Sequence, residues 1–238
     1  MDICRYVPFN RFCEMLFSQK LTLVSPEKWS DKYENYLLQI CKINNEVQQL
    51  KNDFEKENNL TEFEAQRLID FANYVCKKAR CICFSMSIDS EVMWNSYNYN
   101  RETIMWKTTD KKVSSINQTF DLAIVKYDLE TVGINSYLKL LGLYNNRPSI
   151  KNSWELFAHK RRMFEYEHEI RVIDIYNTEV DKEYSSYLIP SIKDFVDGVI
   201  VHPLADESYV EAIKVICDHF EIPFLGKSKI YDLTEIYK

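Results

Sequence analysis

The chain has 238 residues, a formal net charge of -6 and 46% hydrophobic residues. That is enough apolar material for one large domain with a packed core, and it excludes wholesale disorder. The negative balance argues against a general nucleic-acid binder, which needs a basic surface to meet phosphates. Only four glycines occur, and neither a GxGxxG run nor a P-loop is present, which excludes the common glycine cradles for phosphate. Seven cysteines (Cys4, Cys13, Cys41, Cys76, Cys81, Cys83 and Cys217) and four histidines form no CxxC pair or other zinc spacing, so no metal site is expected. No apolar leader and no 18-residue apolar run is present, so neither a signal peptide nor a membrane span is expected. Free thiols without an export signal point to a reducing, cytoplasmic setting.

In chain order, Ile3 to Val7 reads as a strand and Asn10 as the cap of a helix through Phe12, Leu16 and Phe17. Leu21-Thr22-Leu23-Val24 is a β-branched strand ended by Ser25-Pro26. Between 35 and 80, Leu37, Ile40, Ile43 or Asn44, Val47, Leu50 and Phe54 recur every three or four positions, the mark of an amphipathic helix. After a polar link, Thr61 and Glu64 have the spacing of a capping box for a second helix with Phe63, Leu68, Phe71 and Val75. The two make a helical hairpin inserted into the domain, either packed structurally or serving as a lid or partner site. Arg80 to Ser85 reads as a strand, followed by a turn and a helix through Val92, Met93, Trp94 and Tyr97. Strands are expected at 103–109 and 120–127, a helix at Leu129 to Leu143, a loop at Asn145 to Pro148, and a helix from Ser153 to Lys160. The triplet Lys160-Arg161-Arg162 reads as a solvated helix end or a local basic patch. A strand from Val196 to His202, a helix from Asp206 or Ser208, and a strand from Ile222 to Leu225 close the chain as a βαβ-like unit.

The most informative stretch is Phe164 to Ile173. Taken as a strand, it places Tyr166, His168, Ile170 and Val172 on one face and Glu167, Glu169 and Arg171 on the other. Two carboxylates on one strand face lie about 7 Å apart. That suits two acids acting on one substrate, and equally a solvated face of ion pairs. Arg171 reads as the structural partner of a carboxylate, and His168 as a satisfied structural histidine. His159 and His202 have no partner identifiable from sequence.

Several segments in order resemble the bacterial family named domain of unknown function 2971. They are Arg5-Tyr6, Leu23 to Pro26, Trp29 to Glu34, Cys83-Phe84-Ser85, Met93-Trp94-Asn95-Ser96-Tyr97, Lys160 with Tyr166 to Arg171, and the closing unit. The chain departs from the family at Trp29 to Tyr33, which keeps only the Asp of an Asn-Asp-Pro run, and after Tyr97, where a glycine is missing. The layout is also similar to that of the ADP-ribosyltransferase superfamily, an analogy at the level of fold. These likenesses imply an α+β fold over 1–238 with a central mixed, mostly antiparallel split sheet and the 35–80 insertion.

They also imply an NAD-consuming enzyme that transfers ADP-ribose to a protein or nucleic-acid acceptor, or hydrolyses NAD, in a toxin or phage-defence setting. NAD is then a substrate. Its cleavage passes through an oxocarbenium-like state that a fixed carboxylate stabilises. Glu169 is assigned to that charge and Glu167 to the acceptor nucleophile. Arg5, with Tyr6, is assigned to the pyrophosphate or ribose, Ser85 with Ser87 to the ribose or carboxamide, and Trp94 or Tyr97 to the nicotinamide ring. Two other readings remain open. One is a catalytically silent nucleotide- or protein-binding module. The other is a metal-dependent, nuclease-like hydrolase built on Asp31, Glu34, Glu167 and Glu169, which requires those carboxylates to converge.

Overall fold

The computed structural model describes residues 1–29, 31–35, 62–129, 150–176 and 182–232. The first helix expected in the 35–80 insertion, the cap Thr61, the helix expected beyond 129 and the loop at 145–148 lie outside the described residues.

The architecture follows from β1 (Asp2–Pro8), whose side chains are buried on both faces. It pairs antiparallel along its whole length with β4 (Thr103–Thr109). Its odd residues Ile3 and Val7 enter the main core, and its even residues Cys4 and Tyr6 enter a second cluster on the opposite face, as strand alternation requires. The remaining strands are β2 (Lys20–Val24), β3 (Arg80–Ser85), β5 (Asp121–Ile124), β6 (Glu169–Asp174), β7 (Tyr184–Leu188), β8 (Gly198–Val201) and β9 (Phe224–Lys227). Among the described residues they form one nine-stranded sheet in the order β5-β6-β3-β1-β4-β8-β9, with β2 and β7 branching from β3. Every pairing is antiparallel except β8–β9. The sheet is mixed and mostly antiparallel, and the closing unit is a parallel βαβ, both as expected.

Helices cover the main core face. Phe12, Met15 and Leu16 come from α1 (Phe9–Ser18). Further on, α2 (Glu62–Lys78) buries Val75 and Cys76, and α3 (Glu91–Ser96) sends Met93 and Trp94 into the second cluster. The main core receives Val113 from α4 (Asp110–Ile116), Ile192 and Phe195 from α5 (Ile192–Phe195), and Val210, Ile213 and Cys217 from α6 (Glu207–His219). Among the described residues no helix is long and apolar enough to cross a membrane, and Cys4, Cys13, Cys81, Cys83 and Cys217 are free thiols.

Four local expectations change. Asn10 lies inside α1, whose N-cap is Pro8; the fixed backbone of proline serves where no side-chain cap is made. Phe17 is exposed and packs edge-on against Phe220. Ser153 does not cap an α-helix: it is buried within a 3-10 segment over Ile150–Phe157. The strand expected from Phe164 begins only at Glu169. The residues before it, Arg162–Glu167, form a 3-10 turn, and His168 links the two in the left-handed region at φ 39°. Neither α4 nor β7 is visible in the sequence pattern; β7 alternates in burial, but its outward positions carry Tyr184 and Leu188 and its most buried one is Ser185, so its hydrophobicity does not follow the alternation.

Leu16 is fully buried in the main core. Leu16→Ala is expected to lower unfolding free energy by about 2–5 kcal/mol, read by urea titration.

Candidate active site

The sheet forks at β3. On the side away from β6, β3 meets β1 at Cys4↔Ser85 and β2 at Val24↔Cys81, with no register pair between. The strands therefore part over Ile82 to Phe84, and a cavity of about 230 Å³ opens there. Arg5 and Tyr6 from β1, Cys83 and Ser85 from β3, Tyr97 after α3, Trp29, Asp31 and Glu34 from the segment after β2, and Lys160, Glu167 and Glu169 line it. A second cavity of about 350 Å³ runs along β1 and β2 past Arg11, Lys20, Tyr99 and Trp106, and it shares Arg5, Tyr6 and Tyr97 with the first.

The first cavity is backed by a buried ion network. Lys160 Nζ lies 2.8 Å from Glu34 Oε1, 2.5 Å from Glu167 Oε2 and 3.0 Å from Glu169 Oε2. Arg171 donates from Nε to Glu169 Oε1 at 2.7 Å, from Nη2 to Glu34 Oε2 at 3.0 Å and from Nη1 to the Phe157 carbonyl at 2.8 Å. Its guanidinium also covers the Trp29 ring at 4.4 Å. Beside this cluster, Arg161 makes two bonds to Asp31 Oδ2 and stacks on Tyr33 and Phe164. Relative exposure is 5% at Glu167, 3% at Glu169 and 0% at Arg171, which rules out a solvated salt-bridge face. Lys160, at 5%, likewise is no solvated helix end, whereas Arg162 is exposed. Arg171 is the structural carboxylate partner that its position predicts.

Glu167 and Glu169 meet the same ammonium although they do not share a strand. Glu167 closes the 3-10 turn and Glu169 opens β6, with His168 in the left-handed region between them, and both carboxylates are buried and reach Lys160 Nζ. Such a backbone costs about 1–3 kcal/mol in a residue other than glycine. His168 itself is exposed, with Nδ1 2.9 Å from Ser87 Oγ, so it does not occupy the apolar face expected of it. His159 Nδ1 lies 2.6 Å from Asp128, and His202 Nδ1 accepts from the Leu204 amide.

The two glutamates differ electrostatically. Burial pushes the pKa of Glu169 up, but the hydrogen-bonded Arg171 and then Lys160 outweigh it and bring the carboxyl to about 2. At Glu167 burial prevails over Lys160, and neighbouring Glu169 and Glu34 add to it, so its pKa is raised. Both Glu169 oxygens are committed to Arg171 and Lys160. Among the described residues Glu167 Oε1 meets only the Tyr97 hydroxyl, at 3.4 Å.

Of the other residues singled out in sequence, Arg5 lies in the wall common to both cavities. Among the described residues its guanidinium makes no hydrogen bond or ion pair, and it sits 5.8 Å from the Phe84 ring centre. Burial lowers its pKa. Tyr6 stacks on Tyr97 at 6.3 Å, and its hydroxyl donates to the Ser87 carbonyl. Ser85 lines the cavity, but its hydroxyl donates to the Glu167 carbonyl and accepts from the Ser87 amide. Ser87 does not line the cavity; it tethers the turn through the Tyr166 carbonyl and His168. Trp94 is fully buried behind Tyr6, edge-on at 4.9 Å, with Nε1 donating to Asp89; it does not reach the cavity. The carboxylates of the hydrolase reading do converge at Glu34, Glu167 and Glu169, but around Lys160 Nζ. Among the described residues no group of His, Cys, Asp and Glu is laid out to hold a metal ion.

Lys160 is the residue that sequence reasoning did not place in the site. Its signal was weak: it stands with Tyr166 to Arg171 among the segments that carry the family resemblance, but locally it is one lysine in a basic triplet.

No family model matches the chain and no curated protein does, so neither comparison supports the resemblance to domain of unknown function 2971. A solved structure similar to the chain is Thermus sp. 2.9 DarT in complex with ADP-ribosylated ssDNA, at 10% identity over 94% of this chain and 92% of that one, with a TM-score of 0.40.

Arg171→Met leaves buried carboxylates without their partner and is expected to cost about 3–5 kcal/mol of unfolding free energy. The depressed Glu169 carboxyl gives stability that is complete above the unfolded carboxylate range and is lost as pH falls toward about 2. Melting temperature against pH should therefore fall steeply over that acid window in the wild type, and less steeply in Glu169→Gln measured from its own plateau.

Proposed function

We propose that the fork binds NAD and cleaves its nicotinamide–ribose bond, as an ADP-ribosyltransferase with a macromolecular acceptor or as an NAD glycohydrolase. The observation that carries this reading is the pairing of unlike, uncompensated charges in one cavity wall. Arg5 has no carboxylate partner among the described residues. The network across from it sets three carboxylates against two cations, one negative charge in excess. NAD carries the complementary pattern, an anionic pyrophosphate and a cationic pyridinium, and the positive charge passes to the ribose as the bond breaks.

Preorganised charge of this kind stabilises a transition state without reorganisation. Glu167 takes the developing ribose charge, because its Oε1 edge is the one not bound by a cation. Glu169, expected from sequence in that role, holds the ammonium and guanidinium in place. Arg5 meets the pyrophosphate, with Arg11 and Lys20 further along the second cavity. Tyr97 offers its ring to the nicotinamide, a task that Trp94 cannot share. A toxin or phage-defence role, with a protein or nucleic-acid acceptor, belongs to the same reading.

A binding module is the second reading, favoured by the full engagement of Glu169 and the Ser85 hydroxyl. Nicotinamide release from NAD in EDTA separates the two. The wild type is expected to release it, and Glu167→Gln to do so about 100-fold more slowly while remaining folded. NAD binding without release would establish the module. In either case Arg5→Gln is expected to weaken NAD binding about tenfold to a hundredfold by calorimetry, the loss of a charge-assisted hydrogen bond.

A further inference from the structure

The carboxylates expected to hold a metal converge on an amine instead. Glu34, Glu167 and Glu169 come from three separate segments, and one oxygen of each lies within 3.0 Å of Lys160 Nζ. An ammonium has three N–H donors, so the three acceptors satisfy it completely. The Lys160 side chain is 7% exposed and its Nζ lies 4.7 Å from the Phe164 ring centre. Burial alone would lower its pKa, but Glu169, Glu34 and Glu167 together raise it, so it stays charged. Three carboxylate oxygens around one point is also the arrangement that a hard divalent cation takes, at somewhat shorter distance.

We propose that Lys160 is the positioning residue of this site: its ammonium stands in for a bound cation, gathers Glu34, Glu167 and Glu169 at one point, and presents the Oε1 edge of Glu167 to the cavity. The catalytic half of this proposal rests on the NAD-cleaving reading above; the structural half does not. By pinning Glu34, Lys160 also ties the segment after β2 to the start of β6, together with Arg171 and the Asp31–Arg161 pair. That segment forms one wall of the cavity, so the same ammonium that orients the carboxylate holds the wall closed behind it. An arginine is not equivalent, because its planar fork cannot donate to three oxygens around one point.

The proposal makes a specific demand on a variant. Lys160→Ala removes the ammonium and leaves three carboxylates facing an emptied space, which a divalent cation of suitable size is then able to occupy. Melting temperature of the full chain is measured with EDTA, calcium chloride or manganese chloride, for the wild type, Lys160→Ala and Lys160→Ala combined with Glu34→Gln. The wild type is expected to be indifferent to the cations. Lys160→Ala is expected to melt several degrees lower in EDTA, by the size of shift a lost buried pair produces, and to recover with calcium or manganese. The double variant is expected to recover less. A lysine serving only as packing would show no such recovery, and its absence overturns the proposal, as does equal recovery without Glu34. Should Lys160→Ala be unfolded in EDTA, folding on cation addition, followed by circular dichroism, supports the proposal; failure to fold with either cation overturns it.

Nicotinamide release reads the catalytic half. Lys160→Ala in EDTA is expected to lose about 100-fold in rate through misplacement of Glu167, with part of the rate returned by the cation that restores melting. Undiminished release by Lys160→Ala overturns the positioning role. Absence of release by the wild type tells against the NAD-cleaving reading, while the melting arm still decides whether Lys160 holds the place of a cation.

Discussion

Five charged side chains, Glu34, Lys160, Glu167, Glu169 and Arg171, share one buried space, and the site depends on their mutual compensation. Each ion alone carries a desolvation penalty of several kcal/mol. Together they saturate one another's hydrogen bonds: the ammonium has its three acceptors, and the guanidinium has two carboxylates and a backbone carbonyl. The network joins the segment after β2, the loop at Lys160 and the first residues of β6, alongside the Asp31–Arg161 pair and the backbone bonds through Val125 and Lys126. A core of apolar residues would hold them as firmly, but it would not leave a carboxylate edge and a negative excess beside a cavity.

The cavity exists because the sheet forks. A continuous ladder between β1 and β3 would fill the space with paired backbone. With β3 paired to β1 at one end and to β2 at the other, the strands diverge and expose side chains along the gap. Arg5 illustrates the consequence. Strand alternation assigns it to the face of Ile3 and Val7, where an unpaired cation is costly; the gap gives its guanidinium access to both cavities. An arginine with no hydrogen bond or ion pair among the described residues, lining the same cavity as a network with excess negative charge, is a stronger pointer to a ligand with separated charges than either feature alone.

Much of the fold was legible because burial imposes period. The Arg80 to Ser85 strand, the Thr103 to Thr109 strand and the closing βαβ unit repeat the pattern of their apolar residues, and each is found where that pattern puts it. Elements with one weakly buried face, such as β7, carry no such signature. The glutamates were legible as a pair, but not their geometry. A run of alternating residues from Phe164 onward fits a strand, and nothing local marks His168 as the left-handed residue that ends a 3-10 turn. Trp94 and Tyr97, three residues apart, looked equivalent; packing buries one against Tyr6 and leaves the other on the cavity.

By itself, the sequence determined the classes of side chain available: an arginine on the first strand, a glutamate pair before a later one, aromatic residues after the third, and too little glycine for a phosphate loop. These are properties of composition and spacing, and local physics suffices to read them. Tertiary structure alone decided which charges neutralise one another. Lys160 and Glu34 lie far apart in the chain, and their approach depends on the forked sheet and on the turn at His168. Whether a carboxylate is free or spent is set by neighbours that no spacing rule names, because ion pairing in a buried space acts through distance and desolvation rather than through order along the chain.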